Sequence, residues 1–334
     1  MKLKHKIIFL IFAFAIFSCH KRFLEIRRIR LLMGTEVEII VQGTDKRKLE
    51  QAIEAGFKEI ERLEKKLSRF RDDSFISLIN KNAGRKPVKV DKEVFELIKT
   101  AKEICQQSKG AIDITILPVL ALWKFGEKNP TPPPAELIKE KLKLVGCDKL
   151  KLDSRNLTVY LSQQGMGIDL GGVAKGYAGD CAVRVLKSYG VKSGIVNVGG
   201  DLCVFGAPSK GFAIGLRSPF QKNKIIAKIY LKEQAIATSG DYEKYFIYQG
   251  KRYSHILDPR TGYPALGERS VSVVCAKGIL ADAWATALFV LGSEQGIRIV
   301  NSQPELEAIF IDALGTHKIS QGLKNKIIWL EDKE

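Results

Sequence analysis

The sequence is short of the residues that build metal clusters and has no apolar run long enough to cross a membrane. It contains four histidines, three methionines and three tryptophans in 334 residues. His5 and His20 fall in the first twenty residues, so only His255 and His317 serve the body of the chain. No Cys/His cluster has ligand spacing, so the sequence offers no zinc site. The six cysteines include no C-x-x-C pair. Setting Cys19 aside leaves Cys105, Cys147, Cys181, Cys203 and Cys275, an odd number that permits no complete pairing. Buried free thiols are the preferred reading. A dinucleotide fingerprint is missing, because Gly165-x-Gly167 lacks its third glycine, and there is no G-x-x-x-x-G-K-[ST] loop. Repeats, low-complexity segments and nucleic-acid motifs are also absent.

The first residues are a leader. Lys2, Lys4 and Lys6 precede an apolar run at Ile7–Phe17, which ends at Ser18-Cys19. A basic start followed by such a run is a secretory signal. Its 11 residues are too few to span a bilayer. Ile16-Phe17-Ser18-Cys19 resembles a bacterial lipobox, in which the cysteine becomes the lipidated N-terminus. The expectation is an exported, membrane-anchored lipoprotein, on the periplasmic side in a Gram-negative cell, held by acyl chains on Cys19. A plain signal peptide or an uncleaved anchor is the alternative. Net charge is +17, or about +14 without the three leader lysines. That surplus suits anionic headgroups or a phosphorylated substrate, and equally a solvated lysine-rich surface.

Residues 19–32 read as a basic connector, 33–320 as the body and 321–334 as a charged tail. Leu49, Ile53, Phe57, Ile60, Leu63 and Leu67 recur at three- and four-residue steps, which predicts a helix over 46–67. Further helices are expected over 92–108, 135–144, 172–189 and 281–291, the last stopped by Gly292. Strands are expected at 35–41, in a hairpin over 149–161, and as short runs between 194 and 274. Strands mainly adjacent in sequence, with helices between some of them, give α+β with antiparallel sheet.

Four segments hold more Gly, Asp, Thr and His than a core needs: Gly110–Thr115, Ile168–Asp180, Thr238–Tyr263 and Ala281–Thr286. Asp282 and Thr286 stand four apart on a predicted helix and share a face. Carboxylate and hydroxyl are hard ligands suited to Mg²⁺, but an Asp near a helix start is also an ordinary cap. Gly171-Gly172 and Lys175 at a helix N-terminus suit a phosphate, or only a tight turn. His255 precedes a rigid Asp-Pro…Thr-Gly turn; it is either a proton acceptor or a brace for that turn.

Taken in order, these segments resemble the ApbE family, the FAD:protein FMN transferases. The resemblance begins at Met33-Gly34-Thr35 and continues through SRFRDDSFISLIN (68–80) and GAIDITILPVLALWKFG (110–126). IDLGGVAKGYAGD, VNVGGDL, TSGDYEKY, HILDPRTGYP and ADAWATALFVLG carry it onward, over roughly residues 30 to 315. It implies two similar halves of mainly antiparallel sheet with packed helices (T-fold-like), the FAD site between them, and an internal boundary near 160–170. It implies Mg²⁺-dependent transfer of FMN from FAD to a Thr or Ser hydroxyl of an acceptor flavoprotein, such as a subunit of a membrane redox complex, with AMP released. Asp282, Thr286 and the carbonyl of Gly172 would hold the metal. Met33, Phe70, Ala111, Ile112, Asp113, Asp169, Lys175 and Ile256 would contact FAD, and His255 is the candidate base. Phe70 stands where relatives often have Tyr, and Ala285 where some have a second Asp. The alternatives are an FAD pyrophosphatase, with water as acceptor, and an FAD-binding lipoprotein without turnover.

Overall fold

The structure, a computed structural model, describes residues 23–330. The leader, Cys19 and the last four residues lie outside the described residues. Among the described residues no helix is long and apolar enough to cross a membrane.

The chain opens with a hairpin of β1 (Leu24–Leu32) and β2 (Thr35–Gly43). Residues expected to be a connector therefore form a nine-residue strand. Its sequence, LEIRRIRLL, hides the pattern because arginines occupy both faces. Arg28 and Arg30 on one face reach Glu50 and Glu54 of the next helix, while Arg27 on the other face pairs with Glu38. That helix, α1 (Lys46–Leu67), buries all six residues of the predicted stripe, and Asp45 caps its start through the Lys48 N–H at 3.1 Å.

α2 (Phe75–Lys81), β3 (Val88–Lys89), α3 (Lys92–Gln107), α4 (Leu117–Leu120) and α5 (Ala135–Leu142) follow, then β4 (Leu150–Asp153) and β5 (Thr158–Leu161). α6 (Ala174–Ser188) leads to β6 (Ser193–Val198), β7 (Asp201–Phe205), β8 (Phe212–Arg217), β9 (Ile225–Leu231) and β10 (Gln234–Gly240). The small hairpin β11 (Tyr245–Tyr248) and β12 (Lys251–Ser254) precedes β13 (Glu268–Cys275). α7 (Gly278–Asn301), β14 (Glu307–Asp312), β15 (His317–Ile319) and β16 (Ile327–Trp329) complete the chain. α7 is two helical segments meeting at Gly292, whose φ of 74° breaks the helix where a stop was predicted. The expected tail contains β16, which pairs with β9.

One eight-stranded sheet has the order β1-β2-β6-β7-β10-β13-β14-β15. Every neighbouring pair in it is antiparallel. The order divides at β7–β10 into two halves of one design: two strands, two helical segments, two strands. α1 and α6 serve the first half, and the two segments of α7 the second. The fold is thus α+β with two similar halves, as expected; the first half runs on through α6, β6 and β7, so the halves part between Phe205 and Gln234 and not near 160–170. The helices pack on one face of the sheet. A three-stranded sheet, β16-β9-β8, covers part of the other. In the second half alternate residues serve two cores: Ala235, Ala237 and Val273 face the helices, while Ile236, Val274 and Ile309 face the small sheet.

Two of the five body cysteines form a disulfide, Cys105–Cys147, which corrects the expectation of free thiols at both. Cys181, Cys203 and Cys275 are free and buried, as expected. The odd count concealed a single bridge. The partners stand 42 residues apart and meet only because the end of α3 packs against the segment after α5. Closing a loop of that length stabilises by roughly 4 kcal/mol.

The halves are joined by a close crossing of α6 and α7. A Cβ on Gly176 would stand 2.0 Å from the Gly278 carbonyl oxygen, and one on Gly278 2.4 Å from that of Gly176. Each helix also caps the other. Asp180 of α6 accepts the Gly278 and Ile279 N–H groups at 2.7 and 3.0 Å. Asp282 of α7 accepts the Gly176 N–H at 3.0 Å. Gly176→Ala is expected to cost about 3 kcal/mol through overpacking, and Asp180→Ala about 1 kcal/mol through the lost cap; denaturant unfolding of the two variants checks both values and their order.

Candidate active site

The site lies where the two halves part. β7 and β10 pair over only three residues, Leu202–Val204 against Gln234–Ile236. Beyond them β10 runs on through Thr238 and Ser239 without a β7 partner. The Thr238 N–H is taken instead by the carboxylate of Asp201. Lys175, one residue into α6, forms an ion pair with that carboxylate. Asp282 completes the group, which therefore holds two buried carboxylates and one ammonium.

Its electrostatics follow from that count. Burial raises the pKa of Asp201, the Asp282 charge raises it further, and Lys175 opposes both. Burial likewise raises Asp282, with Lys175 and the Gly176 N–H opposing. Burial pulls the Lys175 ammonium down, but Asp282 and Asp201 more than reverse it, so Lys175 stays charged. With both carboxylates ionised the group would carry one negative charge more than Lys175 balances; the raised pKa values register the cost of that state, and a divalent cation would relieve it.

The donors for such a cation are present. Asp282 and Thr286 share one face of α7, as the spacing predicted. A Cβ on Gly172 would stand 3.4 Å from the Thr286 Oγ1, so the Gly172 backbone abuts that hydroxyl. Thr286 Oγ1 also lies 3.2 Å from the Ser239 Oγ. A carboxylate and a hydroxyl, with a glycine backbone packed against the hydroxyl, are a hard set that fits Mg²⁺. Ala285, the position before Thr286, is buried and offers no carboxylate of its own.

The other predicted residues divide by what they expose. Phe70 is 81% exposed, with the Arg69 guanidinium 4.0 Å from its ring centroid. Arg69 is in turn held by Asp169, which also accepts the Gly171 N–H at 2.8 Å. Met33 sits half-buried in the β1–β2 turn at φ 54°. Ala111, Ile112 and Ile256 have buried side chains and so offer a ligand chiefly backbone. Asp113 is buried and committed within the protein. It accepts the Thr115 hydroxyl at 2.7 Å, the Thr115 N–H at 2.8 Å and the Cys147 N–H. His255 leads from β12 into the Asp258 turn. Its backbone N–H donates to the Lys244 carbonyl at 2.9 Å, and Nδ1 lies 3.1 Å from the same oxygen. An Nδ1–H donor leaves Nε2 as a free acceptor. Burial pulls the imidazole down to about 4, so it is neutral at pH 7.

Sequence reasoning did not single out Asp201, Arg69, Ser239 or Asn80. Asn80 spans to Ile168 with two hydrogen bonds, 2.7 and 3.0 Å, and fixes the segment before Asp169. All four lie inside quoted motifs; what was missing was the partner each would meet.

Residues 33–310 match the model of the ApbE family. The FAD:protein FMN transferase of Klebsiella pneumoniae (strain 342) is 35% identical over 283 residues, covering 84% of this chain and 87% of that protein. That of Treponema pallidum (strain Nichols) is 31% identical over 325 residues, covering 91% and 89%. Among solved structures, the ApbE protein of Thermotoga maritima superposes with a TM-score of 0.83 at 35% identity, over 91% of this chain and 99% of that one. The flavinyl transferase ApbE of Pseudomonas stutzeri, in its apo form, gives 0.79 at 27% identity, over 91% and 97%.

The sign of the His255 shift gives a test of this geometry. The folded value, about 4, lies below the unfolded value near 6.5, so the unfolded chain takes up the proton first. Ligand-free protein should lose stability as pH falls from about 6.5 towards 4, and His255→Asn should flatten that part of a Tm-against-pH curve.

Proposed function

The chain belongs to the ApbE family, and from that premise we propose that it transfers FMN from FAD to a Thr or Ser hydroxyl of an acceptor flavoprotein, with Mg²⁺ bound and AMP released. The observation that carries this is the cluster of Asp282, Asp201 and Lys175 beside Thr286 and Gly172. It places two buried carboxylates against a single ammonium, beside a hydroxyl and a close-packed glycine backbone, at the opening between the halves.

Phosphoryl transfer needs alignment and charge neutralisation more than covalent help from the enzyme. Asp282, Thr286 and the Gly172 carbonyl would hold Mg²⁺, which would supply Lewis-acid neutralisation of the FAD pyrophosphate. Lys175 stays protonated through its two carboxylates and presents a second positive charge. Arg69, fixed by Asp169, backs the exposed Phe70 ring on which a flavin or adenine can stack. His255 Nε2 accepts the proton of the incoming hydroxyl. Its oxygen bonds the FMN-side phosphorus while the bond from that phosphorus to the AMP oxygen breaks. The depressed pKa makes His255 a weak base in the ligand-free protein, and the negative charge of bound pyrophosphate shifts it upward.

The leader supports a second element of the reading, an exported lipoprotein anchored at Cys19. β1 starts at the end of the sheet remote from the Met33 turn. That turn lies beside the site, since the Gly199 N–H donates to the Glu36 carbonyl at 2.9 Å two residues before Asp201. A nine-residue strand is roughly 30 Å long, so the start of β1 and the Met33 turn lie at opposite ends of it.

Incubating the protein with FAD, Mg²⁺ and a candidate acceptor, then weighing the acceptor by mass spectrometry, tests the reaction. The expected result is the added mass of one FMN, reduced about a hundredfold or more in rate in Asp282→Ala. Free FMN and AMP with an unmodified acceptor would replace transfer by pyrophosphatase activity. Mg²⁺ alone should raise the Tm of the native protein and leave that of Asp282→Ala unchanged. Cys19→Ala should move the protein out of the membrane fraction; a membrane fraction that stays unchanged would overturn the anchor.

A further inference from the structure

The Cys105–Cys147 disulfide lies directly behind the segment expected to face FAD. Gly110 to Thr115 leaves α3 through two residues at positive φ, Lys109 (54°) and Gly110 (80°). Its near end is fixed by the Gly110 N–H donating to the Cys105 carbonyl at 2.8 Å. Its far end is fixed by the segment after α5. Gly146 donates its N–H to the Thr115 Oγ1 at 2.8 Å, and Cys147 donates its own to Asp113. An Asp113 carboxylate oxygen and both sulfurs lie within 4.8 Å of one another. The bridge therefore ties together the two supports from which Ala111 and Ile112 hang. Those residues reach the site: a Cβ on Gly172 would stand 3.3 Å from the Ile112 Cδ1, and the Asp169 N–H donates to the Ile114 carbonyl at 2.7 Å.

We propose that Cys105 and Cys147 are positioning residues for FAD, their disulfide holding the Ala111–Asp113 backbone in register with Gly172. The inference rests on the reading of this site as an FAD site. A buried aliphatic pair would brace the core as well, but would not make the spacing of the two supports conditional on oxidation. Reduction breaks the S–S bond: two thiols of a reductant such as dithiothreitol supply two electrons and two protons, giving the Cys105 and Cys147 thiols and the oxidised reductant. With the bridge open, Gly146 and Cys147 lose their covalent tie to α3, leaving the Lys102 bond to the Leu150 carbonyl three residues on, and Asp113 and Thr115 shift with them. A misplaced binding segment weakens ground-state binding of FAD, while the group of Asp282, Asp201 and Lys175 is held separately by α6, α7 and β7. If export carries the chain to an oxidising compartment, as proposed, the bond closes there and not in the reducing cytosol. High affinity for FAD is then acquired at the place of action.

The test compares the full chain, oxidised and held in dithiothreitol, with thiols counted by mass after alkylation under denaturing conditions. FAD affinity is read from flavin fluorescence, and KM for FAD and kcat from transfer. Reduction is expected to expose two additional thiols and to raise the FAD dissociation constant and KM about tenfold, with kcat at saturating FAD within about twofold. Thr115→Val, which leaves the bridge intact but removes the hydroxyl that accepts from Gly146 and donates to Asp113, should raise KM in the same direction. Equal FAD affinity in the two redox states, with only the Tm lowered, would reduce the bridge to a brace and overturn the inference. A fall in kcat at unchanged KM would overturn it too. Failure of the oxidised protein to bind FAD would overturn the functional reading, and this inference with it.

Discussion

The crossing of α6 and α7 is the constraint on which the remainder of the structure depends. Two glycines, Gly176 and Gly278, let the helix backbones approach to a distance that no Cβ tolerates. At that distance each helix supplies the carboxylate that the other's first turn needs, Asp180 for α7 and Asp282 for α6. Helix starts carry unsatisfied N–H groups and a partial positive charge, so these carboxylates are held by geometry and by field together. The crossing also brings Lys175, from the first half, against Asp282, from the second. The site exists only because the halves meet there.

The same crossing sets the charge balance. Asp282 is at once a cap and a candidate metal ligand, and the bland and the functional readings of a carboxylate near a helix start turn out to be compatible. One oxygen takes the Gly176 N–H. The carboxylate also interacts with Lys175, and a divalent cation bound there would offset the carboxylate charge and attract a pyrophosphate. His255, on the turn after β12, belongs to a different element; burial, with the nearby Lys244 and Lys175 charges, keeps it neutral. Charge neutralisation and proton acceptance are thus assigned to separate elements, which suits a reaction that needs alignment of two substrates more than a strong base.

Periodicity made much of the secondary structure legible. α1 has the predicted bounds because its stripe is complete and nothing competes with it. β1 escaped because its arginines neutralise acidic residues on both faces and so erase the alternation that marks a strand. α7 was seen only to Gly292, since a glycine at positive φ breaks the hydrogen-bond ladder whether or not a second helix follows. The disulfide escaped for a different reason: with an odd cysteine count, pairing is decided by which two sulfurs the packing brings together.

By itself the sequence determined the fold class, the order of the motifs and the chemical types at the site. Composition, periodicity and turn chemistry are local properties and can be read along the chain. Only the tertiary structure decided that Asp201 is the partner of Lys175, that Asp113 supports a segment instead of presenting its carboxylate, and that Cys105 and Cys147 are joined. Each of these links residues between 2 and 42 positions apart, and in each the outcome depends on which surfaces are buried against one another. Burial sets the cost of leaving a charge or a polar group unpaired, and that cost chooses the partner.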